Sequence, residues 1–376
     1  VPPEQDPAMP HPLIASYPTG RDISDGFASR RPDLVDHRAS GRDTIDTCHP
    51  KRLHLHVTDV VDETATTKTF RLAHPDGSDL PPFLAGQYVA LRYANTTRPY
   101  TISSSPSQLG HYDLTVRRVP GGRISNLLID TLTVGDECVT TGPLGTFHHN
   151  PLFHGDDGLF LADGSGVVPA MSMIREIADA GLDRRLHLIY GSRSADDVIF
   201  HDELDELAAA HPNIVVDHVI GGVLTAEVVT LLAGDLRDRT VYVCGPQEMY
   251  SHVLEQLTSL GHPRRRIRFE ANRAPARPGA RPPWPSGVDP SGSVAVTVRG
   301  TTFRTPRNRP LLEALENKGF RPESACRSGE CSLCRVRVRS GVVHRAEEAR
   351  PRLSDECVGY VHSCVSYPIT DIELEL

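Results

Sequence analysis

Four cysteines near the C-terminus constrain this chain more than any other feature. Four residues separate Cys326 from Cys331, two separate Cys331 from Cys334, and twenty-nine separate Cys334 from Cys364. Three thiols within nine residues point to metal chemistry rather than to disulfides, since a chain this long needs no stapling. The C-x4-C-x2-C…C pattern is the spacing of a four-thiolate 2Fe-2S cluster with Cys326, Cys331, Cys334 and Cys364 as ligands. Such a cluster needs thiolates converging from one loop and one later segment, with backbone amides aimed at its sulfides to hold the negative charge. Small residues Ser328, Gly329 and Ser332 let the loop wrap closely. Zinc is the competing reading, but structural zinc is bound by two short Cys-x-x-Cys pairs, and here Cys331 and Cys334 form the single one. Cys48, Cys138, Cys244 and Cys357 remain, and Cys357 is expected to be packed in an interior.

A length of 376 residues exceeds what one core sustains, so two or three domains are expected. With 39% hydrophobic and 23% charged residues the mixture is that of a soluble globular protein. No apolar run is long enough to span a membrane. The start, Val1-Pro2-Pro3-Glu4-Gln5-Asp6-Pro7, has neither a basic n-region nor an apolar h-region, so a cytoplasmic protein is expected. A net charge of -8 disfavours nucleic acid as a partner, and the run Arg264-Arg265-Arg266 is expected to be a solvated turn.

The texture of the chain changes four times. Residues 1–50, rich in Pro, Asp, Arg and Ser, show no period and are expected to form an extension. Residues 51–153 alternate apolar and polar positions in short runs such as Leu53-His54-Leu55-His56-Val57, which predicts an antiparallel β-barrel. Residues 154–272 alternate apolar strands (about 158–162, 186–190, 214–220 and 240–244) with helices (169–180, about 202–210, 225–233 and 247–260), the pattern of an α/β parallel-sheet domain. Residues 273–291 are rich in Pro and Arg, which predicts a linker. Residues 292–376 predict a β-grasp domain: a hairpin at about 293–305, a helix at about 310–318, the cysteine loop, a hairpin near Ser340-Gly341 and a last strand from Ile372 to Leu376.

Three segments of the barrel region resemble the ferredoxin-NADP reductase superfamily. Arg98-Pro99-Tyr100-Thr101 resembles its Arg-x-Tyr-Ser/Thr motif, Gly121-Gly122-Arg123-Ile124-Ser125 its Gly-x-x-Ser segment, and Gly142-Pro143-Leu144-Gly145-Thr146-Phe147 its closing turn. The resemblance implies that Arg98 pairs with the flavin phosphate, Tyr100 stacks on the isoalloxazine, Thr101 hydrogen-bonds near N5, and the helix opened by Gly121, Gly122 and Ser125 receives the pyrophosphate. Taken without the family, Ser125 is also a sound helix cap. The glycine–serine form resembles the FAD-binding members more than the FMN-binding phthalate dioxygenase reductase type, so FAD is the expected flavin.

Downstream, Gly164-Ser165-Gly166-Val167-Val168-Pro169 opens a helix after an apolar strand, as a pyrophosphate site should, although Pro169 takes the third glycine position of the full fingerprint. The family's shorter Gly-x-Gly form is followed by Pro. Cys244-Gly245-Pro246 resembles its turn beside the nicotinamide, with Cys244 near the reactive carbon; the plainer reading of Cys244 is a small buried hydrophobe. Ser192 and Arg193 stand where the family reads the adenosine ribose. Arg193 favours a 2′-phosphate, while Asp196 and Asp197 oppose one, so NADH and NADPH both remain open. Glu270 matches the family's acidic position near the flavin and is a candidate for proton handling, whereas Asn272 replaces an aromatic that often covers the ring. With its plant-type ferredoxin spacing at the end, the chain resembles reductase components that serve phenylacetyl-CoA epoxidase, hybrid-cluster protein and Rieske-type oxygenases. This implies hydride transfer from NAD(P)H to FAD, then single electrons to the 2Fe-2S cluster and on to a redox protein acceptor. A stand-alone reductase of a metal, a corrinoid or oxygen, and a non-catalytic electron carrier or redox sensor, are the alternatives.

Overall fold

The computed structural model describes residues 50, 52–93, 96–270, 278–280, 284–346 and 353–376. The N-terminal extension short of residue 50, with Cys48, and also Asn272 and residues 273–277 and 281–283 of the expected linker, lie outside the described residues.

The alternating segments fold as six antiparallel strands: β1 (Leu53–Thr64), β2 (Thr67–Ala73), β3 (Tyr88–Tyr93), β4 (Thr96–Thr101), β5 (Tyr112–Arg117) and β6 (Glu137–Thr140), in the order β4-β3-β6-β1-β2-β5. The outer strands meet through the bridge Ile102↔Leu114, which closes the sheet on itself as a barrel. Inward positions such as Val57, Phe70, Val89 and Leu114 fill it, and helix α1 (Arg123–Thr131) adds Ile124, Leu128 and Ile129 to the same core.

In the second module, strands β7 (Asp157–Asp163), β8 (Arg185–Ser192), β9 (Ile214–Ile220), β10 (Thr240–Cys244) and β11 (Ile267–Phe269) are parallel, in the order β11-β10-β7-β8-β9. Helices α2 (Val167–Ala180), α3 (His201–Ala210), α4 (Ala226–Ala233) and α5 (Gln247–Ser259) connect them. The chain winds from β7 outward through β8 and β9, then returns to place β10 on the other side of β7. The strand order therefore reverses between β7 and β10, and a crevice opens at their carboxyl ends. Helix α2 begins at Val167, two residues earlier than the sequence predicts, and Gly181 ends it in the left-handed conformation at φ 57°. Pro169, third in the helix, needs no N–H there.

The third module is a mixed five-stranded sheet, β13-β12-β18-β14-β16, formed by β12 (Ser293–Val298), β13 (Thr301–Pro306), β14 (Arg335–Ser340), β16 (Tyr360–His362) and β18 (Ile372–Glu375). Helix α6 (Leu311–Asn317) packs Leu311, Ala314 and Leu315 on it. The hairpin expected at Ser340-Gly341 does not form. The chain turns there, with Gly341 at φ 89°, but β14 already has β18 and β16 on its two sides, so β15 (Val343–Arg345) pairs with β17 (Ser366–Pro368) instead. Cys357 closes α7 (Leu353–Cys357) and is exposed rather than packed, which corrects the sequence expectation. Trp284 sits against His344 and Tyr367, holding the end of the Pro-rich stretch on this module.

Candidate functional site

The barrel meets the parallel sheet through backbone carbonyls that follow β4. Ser172 Oγ on α2 donates to the Ser104 carbonyl (2.9 Å), and Arg175 donates to the Ser103 carbonyl (2.8 Å) while pairing with Glu203. Helix α2 therefore holds β4 opposite the crevice. Both line one cleft of about 1710 Å³.

On the barrel side, Arg98, Pro99, Tyr100 and Thr101 line the cleft. Arg98 Nη1 donates to the Thr97 carbonyl (2.8 Å). Tyr100 packs on the rim of the barrel core, and burial pushes its phenol up to about 12. Gly122 caps α1, and a Cβ there would fall 2.7 Å from Ser125 Oγ and 2.9 Å from the Val119 carbonyl oxygen. Ser125 is thus the third helical residue and not the cap. It lines the cleft with Gly122, whereas Gly121, at φ 70°, makes the turn and does not.

On the opposite wall, Gly164, Ser165 and Gly166 form a 3-10 turn leading into α2. A Cβ on Gly166 would lie 2.0 Å from the Cys244 carbonyl oxygen, so this glycine lets α2 start directly against the end of β10. A Cβ on Gly245 would lie 2.5 Å from Met249 Sδ. Gly245 and Pro246 line the cleft beside Cys244. Arg193 is exposed at the end of β8 and lines it too, while Ser192 is buried and does not.

Glu270 joins the two walls. Its Oε1 accepts from Thr101 Oγ1 (2.8 Å) and its Oε2 from Cys244 Sγ (2.8 Å), with all three side chains in the cleft. Thr101 and Glu270 are 169 positions apart, and only the packing of β10, β11 and β4 brings them together. Cys244 is buried as the plain reading expects, yet its thiol is engaged at the site.

Cys326, Cys334 and Cys364 are buried and Cys331 half-buried. Cys326 is in hydrogen-bonding reach of Cys331 and Cys364, and Cys334 of Cys364, so the four thiols converge. Arg327, Gly329 and Ser332 all have positive φ (57°, 86° and 58°), and these bends turn the backbone amides of Ser328 and Cys331 to Cys326 Sγ, each at 3.4 Å. The later segment is fixed by Ser363, whose Oγ donates to the Cys334 carbonyl (2.6 Å), and by His362, whose Nδ1 lies 2.7 Å from the Gly329 carbonyl oxygen. Thr146, in the barrel's closing turn, donates to Glu330 of the cysteine loop (3.0 Å). Cys326, Cys364 and Glu330 line the same cleft as Tyr100 and Cys244.

The donors fit the groups that the motifs imply. Four soft thiols with amides turned to sulfur suit a thiolate-held cluster, and glycine cradles at helix N-termini suit phosphates.

Several lining residues carried no signal in the sequence. Arg117, at the end of β5, pairs across the modules with Asp197 and stands against Gly164, where a Cβ would meet its Nη1 at 2.6 Å. Burial raises the Asp163 carboxyl above its ordinary range, and Arg117 and Arg193 act in the opposite sense. Arg264 belongs to the cleft, its guanidinium 5.1 Å from the Phe269 ring centroid, so the basic run is not merely a solvated turn.

Comparisons with known proteins agree with this layout. The oxidoreductase FAD-binding domain matches residues 54–149, the oxidoreductase NAD-binding domain residues 160–255, and the 2Fe-2S iron-sulfur cluster binding domain residues 295–368. The glycine betaine monooxygenase reductase subunit of Pseudomonas aeruginosa is 30% identical over 344 residues, covering 84% of this chain and 93% of that protein. The ferredoxin reductase component of 3-ketosteroid-9-alpha-monooxygenase from Mycolicibacterium smegmatis is 32% identical over 338 residues, covering 85% and 95%. Among solved structures, phthalate dioxygenase reductase is similar with a TM-score of 0.61 and 26% identity, covering 86% of this chain and 98% of that one. Among the described residues no helix is long and apolar enough to cross a membrane.

Proposed function

The chain belongs to the reductase components of oxygenase systems in which FAD-binding, NAD-binding and 2Fe-2S domains follow one another, and from that premise we propose that it oxidises NADH or NADPH and delivers the electrons to a partner redox protein, an oxygenase or demethylase component. The observation that carries this reading is the single cleft shared by Tyr100 and Thr101, by Cys244, and by Cys326 and Cys364. A carrier using the cysteine loop alone would have no need of the first two sets.

In this reading Arg98, Gly122 and Ser125 hold the FAD phosphates, Gly121 shapes the turn that presents them, and Pro99, Tyr100 and Thr101 stand along the flavin. Gly164, Ser165, Gly166, Gly245 and Pro246 hold NAD(P)H, and Cys326, Cys331, Cys334 and Cys364 hold the cluster. FAD, when bound, supplies the exchange between a two-electron hydride donor and a one-electron cluster. The protein's part is placement. Glu270, accepting from Thr101 on one wall and from Cys244 on the other, sets the spacing between the two binding surfaces and keeps both donor hydrogens in place. Glu270 itself is buried, at 7% exposure. The Thr146–Glu330 bond holds the cysteine loop to the barrel. A cytoplasmic location suits thiols that must stay reduced to hold a cluster.

Purified protein should release FAD on acid treatment and contain about two irons per chain, the content of one 2Fe-2S cluster. It should reduce ferricyanide with NAD(P)H. Release of FMN, or zinc in place of iron, would contradict the assignment.

Coenzyme choice rests on Arg193. Ser192 is buried, and Asp197 is engaged by Arg117, so Arg193 is the cation at the end of β8 that faces a ribose site. A charge-assisted contact from so exposed a group contributes about 1.5 kcal/mol, the low end of the usual range. If it grips a 2′-phosphate, Arg193→Ala should raise KM for NADPH about tenfold and leave NADH almost unchanged. Equal effects on both coenzymes would show a structural arginine instead.

A further inference from the structure

A second cluster of ligand-type side chains lies away from the cleft, on the outer edge of the parallel sheet. His201 and Asp205 stand four residues apart in α3, so they share a helix face, and His218 comes from the edge strand β9 beneath it. One ligand atom from each lies within 4.8 Å of the other two. Asp205 bridges the imidazoles, with Oδ1 3.1 Å from His218 Nε2 and Oδ2 3.7 Å from His201 Nδ1. The two rings face each other with centroids 5.1 Å apart at 12°. None of the three lines the cleft.

We propose that His201, Asp205 and His218 form a surface site for a borderline transition-metal dication of the zinc or nickel class, which clamps α3 to β9. Two imidazole nitrogens and one carboxylate oxygen are the donor set such ions take, leaving one position for water. Ligand atoms about 2.1 Å from a tetrahedral ion sit about 3.4 Å apart, so closure asks each pair to approach by no more than about 1.4 Å. Side-chain rotation supplies that, because His201 and Asp205 are 45% and 54% exposed. The local field favours a cation as well. Helix α3 carries Asp202, Glu203, Asp205 and Glu206. Arg175 pairs with Glu203, and the ion pairs recorded for Asp202 and Asp205 among the described residues are with these same imidazoles.

The test is calorimetric titration of the intact, flavin- and cluster-loaded protein with zinc chloride, repeated with nickel chloride, in a buffer that does not chelate. One ion per chain should bind beyond the cluster iron, and zinc should raise the melting temperature. His218→Ala, and separately His201→Gln at the exposed start of the helix, should weaken binding at least about tenfold and abolish the thermal shift, with flavin and cluster absorbance unchanged. The second variant keeps the test open should the first fail to fold. Absence of zinc binding to the wild-type protein would overturn the proposal. So would equal affinity in the folded variants, which would place the ion elsewhere, for instance on the exposed thiol of Cys357.

Discussion

Gly166→Ala should lower kcat/KM for NAD(P)H about 100-fold, the scale expected when a binding surface is displaced by roughly 1 Å. The added methyl would meet the Cys244 carbonyl oxygen at 2.0 Å, its carbon at 2.4 Å and the Gly245 nitrogen at 2.8 Å. All three are backbone atoms and cannot rotate away. Either the first turn of α2 retreats or the end of β10 does. Both carry the proposed nucleotide surface, and α2 is tied down by Ala170, Met171, Ile174 and Ile177 in a filled core. Overpacking of this kind also costs about 1–3 kcal/mol of stability. The barrel's own core is a separate cluster, so FAD content should be retained while steady-state kinetics deteriorate. A kcat/KM within about threefold of wild type would mean that the turn from Gly164 to Gly166 is not the nucleotide site.

The parts legible in the sequence are those in which local chemistry and spacing are sufficient. Strands 158–162 and 240–244 are apolar on both faces because both are buried in a parallel sheet, and Gly181 marks the end of α2 because a left-handed cap favours glycine. The four cysteines are legible for the same reason, since a loop that must present three thiols to one point leaves little freedom in their spacing. What lies beyond reach depends on distant packing. No local signal joins Thr101 to Glu270, Arg117 to Asp197 or Thr146 to Glu330, because each pair meets only where two modules touch. The turn at Ser340-Gly341 has hairpin chemistry, but β16 and β18 occupy both edges of β14. Ser125 satisfies the composition of a cap while Gly122 takes the position, since any side chain at Gly122 would collide with Ser125 and Val119. Cys357 was expected in an interior from its hydrophobic character, whereas α7 presents it to solvent.

Cys331→Ser should separate the two halves of the activity. Its thiol is the half-buried member of the four, in reach of Cys326, and the backbone amide of the same residue is turned to the Cys326 sulfur. Loss of one proposed ligand should remove a thiolate from the cluster, an effect larger than the about 10–100-fold typical of supporting residues around a metal. The hydride side should be retained, since Glu270 accepts from Thr101 and from Cys244 whatever stands at position 331. The most direct measurement sets two rates side by side in wild-type and Cys331→Ser protein of equal flavin content: NAD(P)H-driven reduction of ferricyanide, and NAD(P)H-driven reduction of the partner oxygenase component. Ferricyanide reduction within about threefold of wild type, with partner reduction down more than about 100-fold, is the predicted result. Reduction of the partner at the wild-type rate by protein lacking its cluster would contradict the account, because the flavin would then be the donor and the cysteine loop would not lie on the electron path.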